Sequence, residues 1–150
     1  MKSVTYSKFG TAAEVLSYGE MPSPSPAAGE VLVKLAYSGA NPSDAKARAG
    51  SRPGVTKPAF DVIIPNSDGS GEITAVGDGV SPDRIGERVW IWNGQWQRAF
   101  GTAAEYIALP SAQAVRMPDD MSLETGACLG IPGLTAAHSV FGGGNIAGQT

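Results

Sequence analysis

Residues that favour turns interrupt this sequence about every 8–12 residues through its first two-thirds, and this spacing limits the fold more than any other feature. The 150 residues include 20 glycines and 11 prolines, which is high for a helical protein. Between the turns lie short segments of alternating apolar residues. In residues 30–37, for example, Val31, Val33, Leu35 and Tyr37 share one face. The pattern predicts a mainly β chain with short helices, whose strands close or nearly close on themselves. The predicted strands are residues 30–37, 61–65, 70–76, 88–92, 104–109 and 114–117.

Three segments carry helix signals: residues 43–49, 122–129 and 133–141. The first has Ser43 or Asp44 as its predicted N-cap and Gly50 as its stop signal. Ser122 is the predicted N-cap of the second segment, and Pro132 opens the third. Because two of the three follow the β region, we expect the architecture to change near residue 121.

Charge and cysteine content exclude several classes of function. The formal net charge is −3, and no run of Lys or Arg is present, so a nucleic acid partner is not expected. No stretch approaches the roughly 20 apolar residues of a membrane span, so no membrane partner is expected either. The single cysteine, Cys128, excludes an internal disulfide and a zinc site built from cysteines. These features fit a cytoplasmic protein.

A series of short motifs connects the predicted strands: residues 22–34, 41–44, 48–50, 65–71, 76–77, 86–89, 104–106 and 130–136. In this order they resemble the medium-chain dehydrogenase/reductase family over essentially the whole chain. The last motif is similar to the zinc-free quinone oxidoreductase branch, which includes zeta-crystallin. The resemblance implies a GroES-like β-barrel domain over residues 1–121. It also implies that residues 122–150 form a helical connector and the start of a Rossmann domain, with the chain truncated before the rest of that domain.

The resemblance also bears on zinc. Metal-dependent relatives hold a catalytic zinc with a Cys, a His and a second Cys, and these positions match Asn41, Ser67 and Ile131. An amide, a hydroxyl and an aliphatic chain do not replace two thiolates and an imidazole around Zn²⁺. We therefore expect no metal. We expect Asp68 to be structural, bonded to nearby backbone or paired with Arg48.

Hydride transfer to a quinone or an α,β-unsaturated carbonyl leaves negative charge on the acceptor oxygen, and hydrogen-bond donors must stabilise it in the absence of a metal. Asn41 and Ser67 are the candidate catalytic donors. An alternative role for Asn41 is that of a turn residue bonded to its own backbone. The resemblance implies NADPH as cofactor, bound mainly by the missing Rossmann domain, and Asn41, Lys46 and Thr135 are the candidate contacts in this part.

Lys46, Thr135 and Trp92 each have an alternative role. Relatives often have Tyr where this chain has Lys46, which could meet a phosphate or an acidic substrate, or lie in solvent. Thr135 could instead be a helix-start threonine satisfied locally. Trp92 and Trp96 are the candidate substrate-lining residues, although Trp92, with Trp90, could equally fill the barrel.

The complete protein is expected to be an NADPH-dependent reductase of small-molecule quinones or enones, and it could form a homodimer. One alternative is an enoyl-thioester reductase, which a basic entrance would favour; the available cations are Lys46, Arg48, Arg52 and Lys57. Another is a non-catalytic GroES-like binding module, which scattered site residues would favour. The isolated chain is expected to be inactive, because the glycine-rich phosphate loop of a Rossmann domain is not among its motifs.

Overall fold

The computed structural model describes residues 1–144, 146 and 148, so part of the predicted connector, residues 145, 147, 149 and 150, lies outside the described residues. The strands are β1 (Lys2–Thr5), β2 (Ser17–Glu20), β3 (Glu30–Gly39), β4 (Asp68–Val76), β5 (Arg88–Ile91), β6 (Tyr106–Pro110) and β7 (Ala114–Arg116). The α-helices are α1 (Ala12–Val15), α2 (Pro42–Arg48), α3 (Leu123–Gly126) and α4 (Leu134–Phe141). Two 3₁₀ turns (Pro82–Arg84 and Ser111–Gln113) and one π-helical turn (Leu129–Gly133) complete the elements.

Five antiparallel strands form the main sheet, in the order β6-β3-β4-β5-β7. β1 and β2 pair as a separate antiparallel ribbon. Isolated bridges join the ribbon region to the rest of the fold, one between Ser3 and Ala104 and one between Tyr6 and Ile63. The prediction of a mainly β fold with short helices is confirmed.

The hydrophobic core is built almost entirely from one face of the five-stranded sheet. Its buried members are Val31, Val33, Ile73, Val89, Ile91, Ile107, Leu109 and Ala114, and each is at most 2% exposed. A flat sheet does not bury its own face, so the strands must curl around these side chains to form the predicted barrel. Each buried Val, Leu or Ile contributes about 1.5–3 kcal/mol relative to an exposed one.

The alternation in β3 ends earlier than the sequence predicts. The pairing of β3 with β4 shifts register between Leu35 and Tyr37, and such an irregularity moves the following side chains to the other face. Tyr37 is therefore 43% exposed and does not join the core. Its hydroxyl donates a 2.5 Å hydrogen bond to Glu124 Oε1, which links β3 to α3.

The tryptophans do not fill the barrel. Val89 and Ile91 are the β5 residues that point into the core, whereas Trp90 between them and the following Trp92 are only half-buried. The alternative in which Trp90 and Trp92 plug the barrel is therefore wrong, because the apolar face of β5 is carried by the residues on either side of Trp90.

The helix predictions are confirmed with adjusted ends. α2 begins at Pro42, and the extended Asn41 is its N-cap instead of Ser43 or Asp44. Proline is favoured at the first helical position because its φ is preset and it has no N–H to satisfy. Asp44 completes the cap from within the helix, since Asn41 N donates to Asp44 Oδ2 at 2.7 Å.

The segment after residue 121 contains short helices, as predicted. Ser122 caps α3, and its Oγ accepts a hydrogen bond from Thr125 N at 3.2 Å. α3 ends at Gly126, earlier than predicted, and the π-helical turn that contains Pro132 leads into α4. Among the described residues, no helix combines the length and the apolar character that crossing a membrane requires.

Candidate active site

A buried carboxylate joins three separate segments at one end of the barrel. Asp68, the first residue of β4, is 1% exposed. Its Oδ2 accepts a hydrogen bond from Asn41 Nδ2 at 2.8 Å, and Ile131 N lies 3.0 Å from Oδ1 and 2.9 Å from Oδ2. The hydroxyl of Thr102 donates to the backbone oxygen of Asp68 at 2.6 Å. Asp68 thus holds the start of α2 and the π-helical turn against the barrel.

The expected hydrogen bond of Asp68 to backbone is confirmed, and its partner is the Ile131 N–H. The alternative partner, Arg48, is bonded elsewhere, because its Nη1 donates to Gly10 O at 2.5 Å. No sequence pattern identified the Ile131 N–H as this partner, because Asp68 and Ile131 lie 63 positions apart in the chain.

Gly130 permits this close approach. A Cβ at residue 130 would collide with Asp68 Oδ1 and would lie 2.7 Å from Asp68 Cγ and 3.0 Å from Ile91 O. Real Cβ atoms do not approach other heavy atoms so closely, and the backbone oxygen of a core strand cannot move aside cheaply. The missing side chain therefore allows the π-helical turn to pack directly against the carboxylate.

Asn41 lies between two carboxylates. Burial raises the pKa of Asp68, although the hydrogen bonds from Asn41 and Ile131 act in the opposite direction. Burial also raises the pKa of Asp44, the hydrogen bond from Asn41 N opposes this, and the charge of Asp68 raises it further. The backbone N–H of Asn41 donates to Asp44 and its side-chain amide donates to Asp68, while a hydrogen bond from the same side chain also lowers the pKa of Asp44.

These shifts predict a pH dependence. A carboxyl group whose pKa is higher in the folded than in the unfolded state binds its proton more tightly when folded, so its contribution to stability declines as the pH rises through the folded pKa. Titration of the carboxyl carbons of Asp44 and Asp68 by ¹³C NMR should therefore give midpoints above the ordinary aspartate value. Replacing Asp68 by Asn should lower the pKa of Asp44, since it removes a nearby negative charge. Midpoints at or below the ordinary value would contradict this electrostatic description.

Next to the Asp68 cluster is an open cavity of about 440 Å³. This volume lies in the range of roughly 300–1,000 Å³ that is usual for small-molecule sites. Of the residues predicted for the site, Ser67 and Trp96 line it, and so does Ile131. The remaining lining residues are Ser43, Asp44, Ala47, Arg52, Ala59, Phe60, Ile63, Asn93, Gln95 and Gln97.

Two cavity residues have unusual backbone conformations. Asn93 and Gln97 have φ values of 52° and 56°, in the left-handed region that non-glycine residues rarely adopt. Both belong to the loop between β5 and β6 that also carries Trp96, which is 57% exposed. Conformations of this kind concentrate at functional sites, and both residues line the cavity.

The structure places the other candidate residues outside this cavity. Asn41 lines a neighbouring cavity of about 290 Å³, which shares Asp44 with the larger one. Lys46 and Thr135 are exposed, on α2 and α4. Trp92 is half-buried, and its indole N–H donates to Ala112 O at 3.2 Å. Sequence reasoning missed Asp44 and Phe60 as cavity residues, and it named Arg52 only as one of four cations available for an entrance.

The positions that match zinc ligands do not fit a metal. The Asn41 amide and the Ile131 N–H both donate to Asp68, and the Ile131 side chain is aliphatic. Cys128 is exposed, and the described residues contain no group of three or more His, Cys, Asp or Glu side chains arranged to hold a metal ion. The donor set therefore lacks the nitrogen and sulfur ligands that a zinc site of this kind requires.

Comparison with known proteins agrees with this geometry. Residues 27–119 match the family described as "Alcohol dehydrogenase GroES-like domain". The chain is 30% identical to the quinone oxidoreductase of Rattus norvegicus over 141 residues, which cover 94% of this chain and 41% of the rat protein. The chain thus spans about two-fifths of the length of this relative.

Solved structures are similar as well. A quinone oxidoreductase from Pseudomonas syringae superposes with a TM-score of 0.80 at 29% identity, covering 96% of this chain and 42% of that protein. Mycobacterial Rv1454c in complex with NADPH superposes with a TM-score of 0.78 at 27% identity, covering 94% of this chain and 41% of that protein. The chain therefore belongs to the alcohol dehydrogenase GroES-like family of medium-chain dehydrogenases/reductases, and it is similar to the quinone oxidoreductases of that family.

Proposed function

We propose that these residues form the N-terminal, catalytic-side domain of a zinc-independent reductase that transfers hydride from NADPH to a quinone or an α,β-unsaturated carbonyl. The proposal rests mainly on the cavity, where a hydroxyl group and aromatic side chains lie beside Asp68 and Asp44, a pair of carboxylates without the nitrogen and sulfur ligands of a catalytic zinc site. Ser67, Trp96 and Phe60 all line it. The similarity to quinone oxidoreductases and to a protein solved with NADPH supports the same reaction class.

Each site residue has a role that its chemistry allows. When NADPH is bound, it supplies the hydride. The Ser67 hydroxyl donates a hydrogen bond toward the oxygen on which negative charge develops, and a well-placed donor of this kind contributes about 10²–10³-fold in rate. The exposed ring of Trp96 covers one face of a flat acceptor. Asn41, which donates its side-chain amide to Asp68 and lines the neighbouring cavity, is proposed as the second catalytic donor.

Most of the cofactor contacts are proposed to come from a nucleotide-binding half. Lys46 and Thr135 are exposed, where an approaching domain and its bound NADPH could reach them. α4 also exposes apolar side chains: Leu134 is 48%, Val140 47% and Phe141 63% exposed. Apolar side chains exposed together on one short helix commonly mark a contact surface, and this one is proposed to pack against the nucleotide-binding half.

The isolated 150-residue chain should bind NADPH only weakly. Its few contacts at the nicotinamide end do not offset the entropy lost when a large flexible ligand is held, and the helix N-terminus that binds a pyrophosphate would belong to the other half. Isothermal titration calorimetry of the chain with NADPH measures this directly. Micromolar affinity would show that the cofactor site lies within these residues.

The acceptor class is tested with a complete protein, in which these residues are joined to a nucleotide-binding half from a quinone oxidoreductase. NADPH oxidation would be followed against quinones, enones and enoyl thioesters. We expect turnover with the first two. Arg48 donates to Gly10 O, and Arg52 is the cation that lines the main cavity. A thioester that carries phosphate groups would favour an entrance with more positive charge. Turnover with thioesters alone would favour the enoyl-thioester alternative, and no turnover at all would favour a non-catalytic binding module.

A further inference from the structure

A cavity of about 240 Å³, called here the second cavity and distinct from the one that Asn41 lines, adjoins the main one. The two share five lining residues: Ala47, Arg52, Ala59, Ile63 and Gln95. We propose that this second cavity binds an uncharged, apolar substituent of the acceptor, so that the substrate is a carbonyl compound with an alkyl or prenyl side chain. The inference rests on the proposed reductase function and adds the substrate class to it.

The walls of the second cavity are mostly apolar. Besides the shared residues, Tyr6, Phe9, Val55, Pro58 and Gly50 line it. Tyr6 is only 5% exposed and belongs to a small buried cluster with Ile63 and Val15, so this wall is anchored in the fold. Arg52 is the one charged residue among those that line it, and it lies at the border with the main cavity. A polar head group is therefore favoured at the border, and an apolar group is favoured beyond it.

Gly50 allows the Phe9 ring, part of one cavity wall, to pack directly on the backbone. Gly50 has a φ of 72°, and a Cβ there would lie 2.7 Å from Cγ of the Phe9 ring. The Phe9 ring therefore packs directly on the backbone that ends α2, and its apolar surface forms part of the cavity wall.

The volumes of the two cavities also indicate a ligand with a head group in the main cavity and a substituent in the second. The main cavity, about 440 Å³, is large enough for a small-molecule site, whereas the second, about 240 Å³, falls below the usual lower limit of roughly 300 Å³ for a whole ligand. A substituent that extends from the first cavity fits this combination. Burial of one methylene group contributes about 0.8 kcal/mol, which corresponds to an approximately fourfold gain in affinity.

The test is a titration of the 150-residue chain with trimethyl-benzoquinones whose fourth ring position carries a methyl, propyl or pentyl group. A fully substituted ring resists addition by the exposed thiol of Cys128. Binding is followed by ¹⁵N–¹H NMR at the Trp96 indole and at the backbone amides of Gly50 and Val55, because this method detects weak binding. The Kd should fall about fourfold per added methylene until the second cavity is filled.

Two matched variants locate the effect. Val55 lines the second cavity and is 45% exposed, whereas Val62 lines neither cavity and is 39% exposed. Val55→Asp should leave the Kd of the methyl compound unchanged and remove most of the gain with chain length, because the tail would then meet a carboxylate. Val62→Asp should behave as the wild type.

Three results would overturn the inference. If every quinone binds with the same affinity, the acceptor site stands but the second cavity holds no tail. If Val55→Asp keeps the full dependence on chain length, the tail binds elsewhere. If no quinone binds, the proposed function itself loses its acceptor site, and the inference fails with it.

Discussion

Replacing Asp68 by alanine should lower the free energy of unfolding by about 3 kcal/mol. The substitution removes the acceptor of two half-buried donors, the Asn41 amide and the Ile131 N–H. A donor left without a partner costs about 1–3 kcal/mol when it is fully buried. Part of this loss is offset, because the buried carboxylate is itself costly, as the raised pKa of Asp68 indicates. The net effect is large because one residue joins three segments.

Urea denaturation followed by circular dichroism measures this change as a lower midpoint with a similar slope. The matched control is Glu72→Ala, on the same strand, where the side chain is exposed. Surface substitutions of this kind usually change stability by no more than about 0.5 kcal/mol. If the two variants had equal stability, Asp68 would not be the link between the barrel and the π-helical turn.

Replacing Gly130 by alanine should destabilise the fold by about 2 kcal/mol or more, although only one methyl group is added. The new Cβ would overlap the Asp68 carboxylate and approach Ile91 O to 3.0 Å. Overpacking in a tightly packed site costs about 1–3 kcal/mol, and separation of Ile131 N from Asp68 would add to the loss. The amide of Ile131 should then exchange with solvent deuterium faster than in the wild type.

Gly133, three residues later in the same π-helical turn, is the matched control. A Cβ there would meet its nearest neighbour, Cys128 O, at 3.5 Å, which is an ordinary contact. Its φ of −64° and ψ of −47° are helical, so Gly133→Ala should be neutral or stabilising by up to about 1 kcal/mol. Equal effects of the two substitutions would show that the tight contact at Gly130 does not determine the stability of this turn.

The sequence predicted those features that depend on local patterns. The core residues of β3 follow from the alternation of Val31 and Val33 between turn signals, and the Ser122 cap follows from residue type alone. The exposure of Tyr37 did not follow, because it results from the register between β3 and β4, which depends on both strands at once.

Some residues of the candidate site could be predicted from the sequence and others could not. Motif resemblance identified the positions of Asn41, Ser67 and Ile131. In the structure Asn41 and Ile131 bond to Asp68, and Ser67 and Ile131 line the main cavity. The contribution of Phe60 was not predicted, and Arg52 was named only as one of four cations available for an entrance, because both lie between α2 and β4 in a segment without regular structure. Long-range packing of such a segment leaves no periodic signal in the sequence.

Zinc analysis combined with an activity assay tests whether the site works without a metal. The complete protein, with these residues joined to a nucleotide-binding half, would be dialysed against a chelator, analysed for zinc by mass spectrometry and assayed for quinone-dependent NADPH oxidation. We expect much less than one zinc per chain and undiminished turnover, because the matched positions carry an amide, a hydroxyl and an aliphatic side chain. One tightly held zinc per chain, or activity that is lost with the chelator and restored by zinc, would show that the site depends on a metal.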